Sequence, residues 1–354
     1  MPRYRVALLS LLIGAAASGG GLPPSRITDG AHATDLIEVA GGWVLATDRI
    51  SGAGEWNGSL IRLNRAGNVL AEAQVVVGSC LRVAFSGTAY AVAFNDTRRN
   101  LFATLRLVGE DLEGSTMVRL GGAGTSSTAV TWHPSRREWA VAVNEYTEKE
   151  ITVRLQRYSE RELSPVGSVE IGEVPLPHYS PSGVFNLFPH GDGYRMVLYP
   201  SLAVLEWDTR TVREVWPGVD AWPTSLGSVR AEGSALRIAY AQPERRPEQD
   251  YLRDRISKIW LVRVERGDVT ERILVARSPP GHAVAGVALY RTQTGYEVLW
   301  NEREPGSGGL VTRRASVDGG RVTATGQVTD FDVRHWVLRS GQIGISGSAV
   351  AESH

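Results

Sequence analysis

The sequence is poor in cysteine and lysine and has no excess of charge of either sign. Cys80 is the only cysteine, so an internal disulfide is excluded. Its neighbours in "SCLRVAF" alternate like a strand and favour a buried thiol, since a reactive one needs exposure and basic neighbours. Lys149 and Lys258 are the only lysines, and Lys plus Arg equals Asp plus Glu at 38 each. This balance gives no reason to expect a nucleic-acid partner.

Long apolar runs are also missing. The apolar run of residues 6–17 is 12 residues long, whereas a bilayer-spanning helix needs roughly 20. Arg3 and Arg5 precede this run, and Ala15 and Ala17 stand in an A-x-A arrangement, which is typical of a secretory signal peptide. We therefore expect a signal peptide over 1–17, a flexible linker over 18–24 and a secreted or periplasmic mature protein without stable membrane insertion. A buried N-terminal helix is the alternative.

Familiar catalytic and ligand-binding motifs are absent as well. The sequence has no G-x-S-x-G elbow, P-loop, G-x-G-x-x-G fingerprint, H-E-x-x-H pair or D-x-[DN]-x-[DN]-G calcium loop. We expect no cofactor and no metal site. The sequence does not exclude a pair of glycosidase carboxylates, because two such residues need only be close in space and follow no sequence motif.

The chain does contain a repeat. Its 39 glycines and 17 prolines indicate a turn-rich protein, and seven similar heptads recur about every 50 residues. Each heptad follows a short apolar segment and a tight turn, which together predict a β-hairpin. The heptads begin at Trp43 ("WVLATDR"), Tyr90 ("YAVAFND"), Trp139 ("WAVAVNE"), Tyr194 ("YRMVLYP"), Leu236 ("LRIAYAQ"), Tyr296 ("YEVLWNE") and Gln342 ("QIGISGS").

Two further strand-like runs follow most heptads, so one unit is four short strands, a to d, with the heptad as strand b. Such units, repeated every 40 to 50 residues, are the signature of a β-propeller. We predict an all-β fold, a seven-bladed β-propeller of four-stranded antiparallel blades over 25–354. Residues 25–29 would close the ring by pairing into the last blade. Six blades with a trailing hairpin are the alternative, and the large aromatic residues that open the heptads would pack between blades.

Two stretches carry a resemblance to a known group. They are "VTWHPSRREWAVAVNE" with "ITVRLQRYSERELSPVGSVEI", and "ALYRTQTGYEVLWNE" with "GLVTRRASVDGGRVTATGQV". In these the chain resembles the secreted bacterial β-propeller repeat proteins, which are similar to WD40-like and TolB-like propellers. The resemblance implies the architecture over essentially the whole mature chain. The Gly-His and Trp-Asp marks of WD40 repeats are absent, so no catalytic residue carries over, and propellers host many functions.

Several heptads end in Asn, Asp or Glu, and the b–c and d–a loops follow at the same face of a propeller. We therefore predict a polar circle around one mouth of the channel, either as turn chemistry or as a ligand site. Glu55 and Trp56 lie in a b–c loop on this face, whereas His133 and His190 fall in a–b turns on the opposite face, where exposure is expected. His32 has no identifiable partner. The candidate ligand-binding residues are Asp96, Glu145, His178, Trp222, His282, Asn301 and Glu302.

These features favour an exported, monomeric binding module for a protein, peptide or glycan over an enzyme. The alternative is a carbohydrate-active hydrolase or lyase that uses the acidic residues at the channel mouth, with His178 or His282. A purely structural extracellular repeat is a third possibility. Convergence of three or more of these groups on one point of a pocket would favour the enzyme.

Overall fold

The structure is a computed structural model that describes residues 31–99, 102–122, 125–146, 150–175, 183–199, 202–207, 212–216, 218, 228–244, 256–305, 309–329, 334 and 337. Nearly all of these residues lie in strands, and every strand pair is antiparallel. Among them, no helix is long and apolar enough to span a membrane.

The N-terminal strands form one continuous seven-stranded sheet in chain order. Its strands are β1 (Ala31–Val39), β2 (Gly42–Ile50), β3 (Trp56–Asn64), β4 (Val69–Phe85), β5 (Ala89–Asp96), β6 (Phe102–Gly109) and β7 (Gly114–Arg119). Strand β4 has 17 residues, and residues up to Val77 pair with β3 while residues from Gly78 pair with β5. The sheet is therefore two four-stranded blades, 1 and 2, which share β4.

Four separate four-stranded sheets follow, again in chain order. Blade 3 contains β8 (Thr125–His133), β9 (Glu138–Tyr146), β10 (Glu150–Ser159) and β11 (Pro165–Pro175). Blade 4 contains β12 (Gly183–His190), β13 (Gly193–Tyr199), β14 (Val204–Trp207) and β15 (Val212–Trp216). Blade 5 contains β16 (Ser228–Glu232), β17 (Ala235–Pro243), β18 (Ser257–Glu265) and β19 (Asp268–Arg277), and blade 6 contains β20 (Ala283–Arg291), β21 (Gly295–Arg303), β22 (Leu310–Asp318) and β23 (Arg321–Gln327).

The core lies between the blades. Six hydrophobic clusters join blades 1 and 2, 2 and 3, 3 and 4, 4 and 5, 5 and 6, and 6 and 1. Tyr90, Trp139 and Tyr194 are fully buried in these clusters, and Trp43 of blade 1 meets Tyr290 of blade 6 edge-on with ring centroids 6.2 Å apart. The predicted packing of the heptad aromatics between blades is confirmed for these residues. A ring of four-stranded sheets closed in this way is a β-propeller.

The predicted number of seven blades is not confirmed. The described residues form six blades, and the sixth packs directly on the first, which favours the six-blade alternative. Val337 lies in the apolar segment before the heptad at Gln342, where the repeat predicts the first strand of blade 7. It instead has helical backbone and is buried in the cluster between blades 6 and 1. The last heptad (342–348), the closing strand (25–29), the signal peptide (1–17) and the linker (18–24) lie outside the described residues.

Candidate functional site

Strand b of each blade ends at one face of the ring, where strand a begins. We call it the b–c face, and the opposite face, which carries the a–b and c–d turns, the a–b face. Asp48, Asp96, Glu145 and Glu302 all lie at or near the ends of b strands and therefore at the b–c face. The sequence periodicity places them there because each heptad of blades 1 to 6 occupies a b strand of 7 to 9 residues.

In blade 6 the structure brings His282 and Glu302 together. Glu302 is 2% exposed, and its Oε1 accepts a hydrogen bond of 2.8 Å from Trp300 Nε1. Its Oε2 lies 3.4 Å from Arg313 Nε and 3.5 Å from His282 Nδ1. Trp300 and Glu302 share one side of β21 because alternate residues of a strand point the same way. The neighbouring Asn301 is also buried, and its Oδ1 accepts a 2.5 Å hydrogen bond from the Thr312 hydroxyl.

Blade 1 repeats this arrangement with other residues. His32 of β1 is directly opposite Asp48 of β2, and His32 Nδ1 lies 3.5 Å from Asp48 Oδ1. The other carboxylate oxygen accepts a 2.8 Å hydrogen bond from the Cys80 backbone N–H of blade 2. The Trp56 ring lies beside His32, with centroids 5.9 Å apart. Blades 1 and 6 thus each place an imidazole against a buried carboxylate at the same face.

Burial governs the electrostatics around Asp48. It raises the pKa of the Asp48 carboxyl, against the opposing effects of the Cys80 N–H, His32 and Arg82. Burial, followed by the charge of Asp48, also raises the pKa of the Cys80 thiol. The raised pKa disfavours the thiolate, but Cys80 is half-buried rather than buried as the sequence predicted.

The remaining predicted residues bond within their own blades or lie outside the described part of the chain. Asp96 accepts a 3.0 Å hydrogen bond from the Arg98 backbone N–H, in the 3₁₀ turn Thr97–Arg99. Glu145 forms a 2.7 Å ion pair with Arg154 of the adjacent strand. His178 and Trp222 fall outside the described residues.

The exposed parts of this face are the imidazoles rather than the carboxylates. Side-chain exposure is 34% for His32 and 17% for His282, against 5% for Asp48 and 2% for Glu302. A ligand that approaches the b–c face at blades 1 and 6 would meet imidazole edges and the half-buried indole of Trp56. Within the described residues, no group of three or more His, Cys, Asp and Glu is arranged to hold a metal ion.

His32 is the functional candidate that sequence reasoning missed. The tight turn after Val39 offered a signal, since counting outward from it along both strands places His32 close to Asp48. A bulge between Ala33 and Asp35 shifts the register of β1 against β2 by one residue. Counting along the strands therefore misplaces the partner of His32 by one position, and a shift of one residue turns a side chain to the other face of the sheet.

On the a–b face, the expectation that His133 is exposed is wrong. His133 is 2% exposed and lies edge-on to the Tyr194 ring at 5.2 Å. Burial lowers its pKa. Beside it the buried Glu138 accepts a 3.0 Å hydrogen bond from the Tyr194 hydroxyl and lies 3.1 Å from Arg157. The packing of blade 4 against blade 3 covers this turn, which the sequence of a single blade does not reveal. His190 is half-buried rather than exposed.

Comparison with known proteins gives a likeness of fold. No protein-family model and no curated protein matches the sequence. A solved prolyl endopeptidase is similar over 88% of this chain and 44% of its own, at 13% identity and a TM-score of 0.50. An acylaminoacyl peptidase from Pyrococcus horikoshii matches over 85% of this chain and 46% of its own, at 12% identity and a TM-score of 0.49. The β-propeller domain of the Trilobed protease from Pyrococcus furiosus matches 86% of this chain and 99% of its own, at 10% identity and a TM-score of 0.44.

The chain spans less than half the length of the two peptidases. At these identities the likeness concerns the fold alone, and it transfers no activity or substrate to this chain.

Proposed function

We propose that this β-propeller is an exported binding module whose protein, peptide or glycan ligand docks on the b–c face at blades 1 and 6. The observation that carries the proposal is the pair of imidazole–carboxylate contacts, His32 with Asp48 and His282 with Glu302, on two blades that pack against each other. The half-buried Trp56 beside His32 adds an aromatic surface.

The burial of the carboxylates supports binding rather than catalysis. A general acid or base must come within hydrogen-bond reach of the proton that it transfers. Glu302 lies beneath His282 and is held by Trp300 and Arg313, while Asp48 is held by a backbone N–H of blade 2. These acids therefore bond to the scaffold, and the imidazoles that lie beside them are the groups that a ligand can reach.

The exposed groups suit a ligand with both a flat or apolar face and hydrogen-bonding groups. An indole supplies a large contact area with little loss of conformational freedom, and imidazole nitrogens donate to or accept from hydroxyl and amide groups. Glycans and peptides both offer this combination. The ring fixes these side chains on rigid strands, which favours recognition without rearrangement.

The test is binding to glycan and peptide arrays, followed by calorimetric titration of each ligand found. Trp56→Ala and His282→Gln should each weaken binding at least about tenfold, as expected for loss of a central contact. Arg161→Gln is the control, since Arg161 is exposed in the c–d turn of blade 3 and therefore lies on the a–b face, away from blades 1 and 6. Affinity that is unchanged in both test variants would place the site elsewhere. Shortened glycan products would instead favour the carbohydrate-active enzyme.

Export is the second part of the proposal. It is supported by the basic residues, apolar run and A-x-A arrangement of residues 1–17. It predicts that the binding face meets ligands outside the cytoplasm, and protein recovered from the medium or periplasm tests this directly.

A further inference from the structure

A row of charged side chains crosses blade 4 near the a–b face, on the side that faces blade 5. In register, Arg195 of strand b pairs with Glu206 of strand c, and Glu206 pairs with Arg213 of strand d. Glu206 lies 3.4 Å from Arg195, 3.3 Å from Arg213 and 3.8 Å from His190 Nε2, which comes from strand a. The single carboxylate of Glu206 therefore contacts three basic side chains, and the two arginines among them are permanently charged.

Across from this row, blade 5 contributes the rest of a cavity of about 570 Å³. The buried Arg195 reaches over to donate a hydrogen bond to the Ser234 carbonyl in the a–b turn of blade 5. Arg266 enters from the c–d turn of the same blade. Three arginines thus line the cavity, against the two glutamates Glu206 and Glu214.

The position of Arg266 is fixed by its own turn. Its backbone φ of 53° and the φ of 91° at Gly267 are left-handed, a combination that suits a two-residue hairpin turn. A Cβ on Gly267 would lie 2.3 Å from the Val215 carbonyl oxygen of blade 4, so only glycine allows this close approach. The turn is therefore packed against strand d of blade 4, two residues beyond Arg213.

The equivalent row of blade 5 provides an internal comparison. There Arg237 and Arg263 lie among Glu232, Glu265 and Glu271, with Arg237 to Glu232 at 3.0 Å and Arg263 to Glu265 at 2.5 Å. Arg237 also pairs with Glu271. Acids here match or outnumber bases, so the fold does not require a surplus of arginines at this position. Glu265 of blade 5 also borders the cavity through the Ser234 hydroxyl, but its carboxylate is paired with Arg263. The three lining arginines therefore face only two lining glutamates, and this surplus needs another explanation.

We propose that the cavity between blades 4 and 5 is an anion-binding site that takes a phosphate or carboxylate group of a small ligand. Arg213 and Arg266, which are exposed, contact the anion, and Arg195 positions the row from beneath. Arginine suits this task because its planar fork matches the geometry of both groups. Burial lowers the pKa of Arg195, a cost that a bound anion reduces.

The site is tested by calorimetric titration of the full chain with inorganic phosphate and, separately, with succinate, at ionic strength held constant with chloride. We expect saturable binding of at least one probe at one site per chain, and the two arms separate phosphate from carboxylate recognition. Arg213→Gln and Arg266→Gln should each weaken binding about tenfold, the loss expected for one charge-assisted contact. Arg161→Gln is the matched control, because Arg161 is an exposed arginine in the c–d turn of blade 3.

Thermal unfolding of each variant without anion shows whether it is folded at the temperature of the titration. The absence of saturable binding of either probe to the parent would overturn the proposal. Equal affinities in the parent and in both folded test variants, or an equal loss in Arg161→Gln, would overturn it as well.

Discussion

Removal of the Asp35 carboxylate should loosen the contact between blades 1 and 2. Asp35 is 1% exposed, and its Oδ2 accepts a 2.9 Å hydrogen bond from the Val83 backbone N–H of blade 2. Its Oδ1 accepts a second bond of 2.9 Å from the Leu36 N–H. Each buried donor left without an acceptor costs about 1–3 kcal/mol, so Asp35→Ala should lower the free energy of unfolding by about 2–6 kcal/mol. Asp35→Asn keeps one acceptor oxygen and should cost about half as much.

Urea unfolding followed by tryptophan fluorescence measures this loss, with a lower midpoint at an unchanged slope. Glu72→Ala, on the exposed outer part of β4, is the control and should change stability by no more than about 0.5 kcal/mol. Amide hydrogen exchange supplies a local readout, because the Val83 N–H should lose protection in Asp35→Ala. Unchanged protection of Val83 in that variant would refute the assignment of Asp35 as its acceptor.

Three further predictions concern local geometry, charge and export. Gly295→Ala should lower the free energy of unfolding by about 1–3 kcal/mol, because a Cβ at this position would lie 2.1 Å from the Val317 carbonyl oxygen. Gly326→Ala is the control: space around Gly326 is open, so this change should have little effect on the urea midpoint. Burial raises the pKa of Asp48 above 3.8, so the folded state holds its proton more tightly and stability from this group falls as pH rises through the folded pKa. Asparagine does not ionise, so the free energy of unfolding of Asp48→Asn minus that of the parent should be larger at neutral pH than near pH 3.8. The same difference at both pH values would contradict the raised pKa. N-terminal sequencing of exported protein should begin near Ser18, and an intact Met1 would be the contrary result.

The repeat made most of the fold predictable. Six of the seven heptads coincide with strand b of a blade, from β2 to β21, because an aromatic followed by alternating small and branched residues suits a strand buried between sheets. The junction between blades 1 and 2 was not predictable in the same way. We expected separate strands there, but β4 runs through without a loop, since Gly78 and Ser79 interrupt the apolar pattern only briefly and so short an interruption does not specify a turn.

The candidate site was harder to predict from the sequence than the fold was. Strand ends placed Asp48 and Glu302 at one face, but most partners of these acids come from other strands or from another blade. Cys80 is 32 residues from Asp48, and its role as a backbone donor depends on conformation rather than on its side chain. The charged row of blade 4 was missed for the same reason: Arg195, Glu206 and Arg213 carry no motif and meet only through strand register.

A bulge that recurs in the first strands of the blades explains the contact that Asp48 makes with blade 2. Strands β1, β8, β12 and β20, and the blade 2 part of β4, each shift register near the b–c face. A bulge frees backbone N–H groups from the ladder, and buried donors need acceptors. In blade 2 the bulge places Cys80 at a φ of 56°, and Asp48 of blade 1 accepts its N–H. Asp48 thus holds blade 1 to blade 2 through a bulge, whereas Glu145 and Glu302 pair with side chains of their own blades.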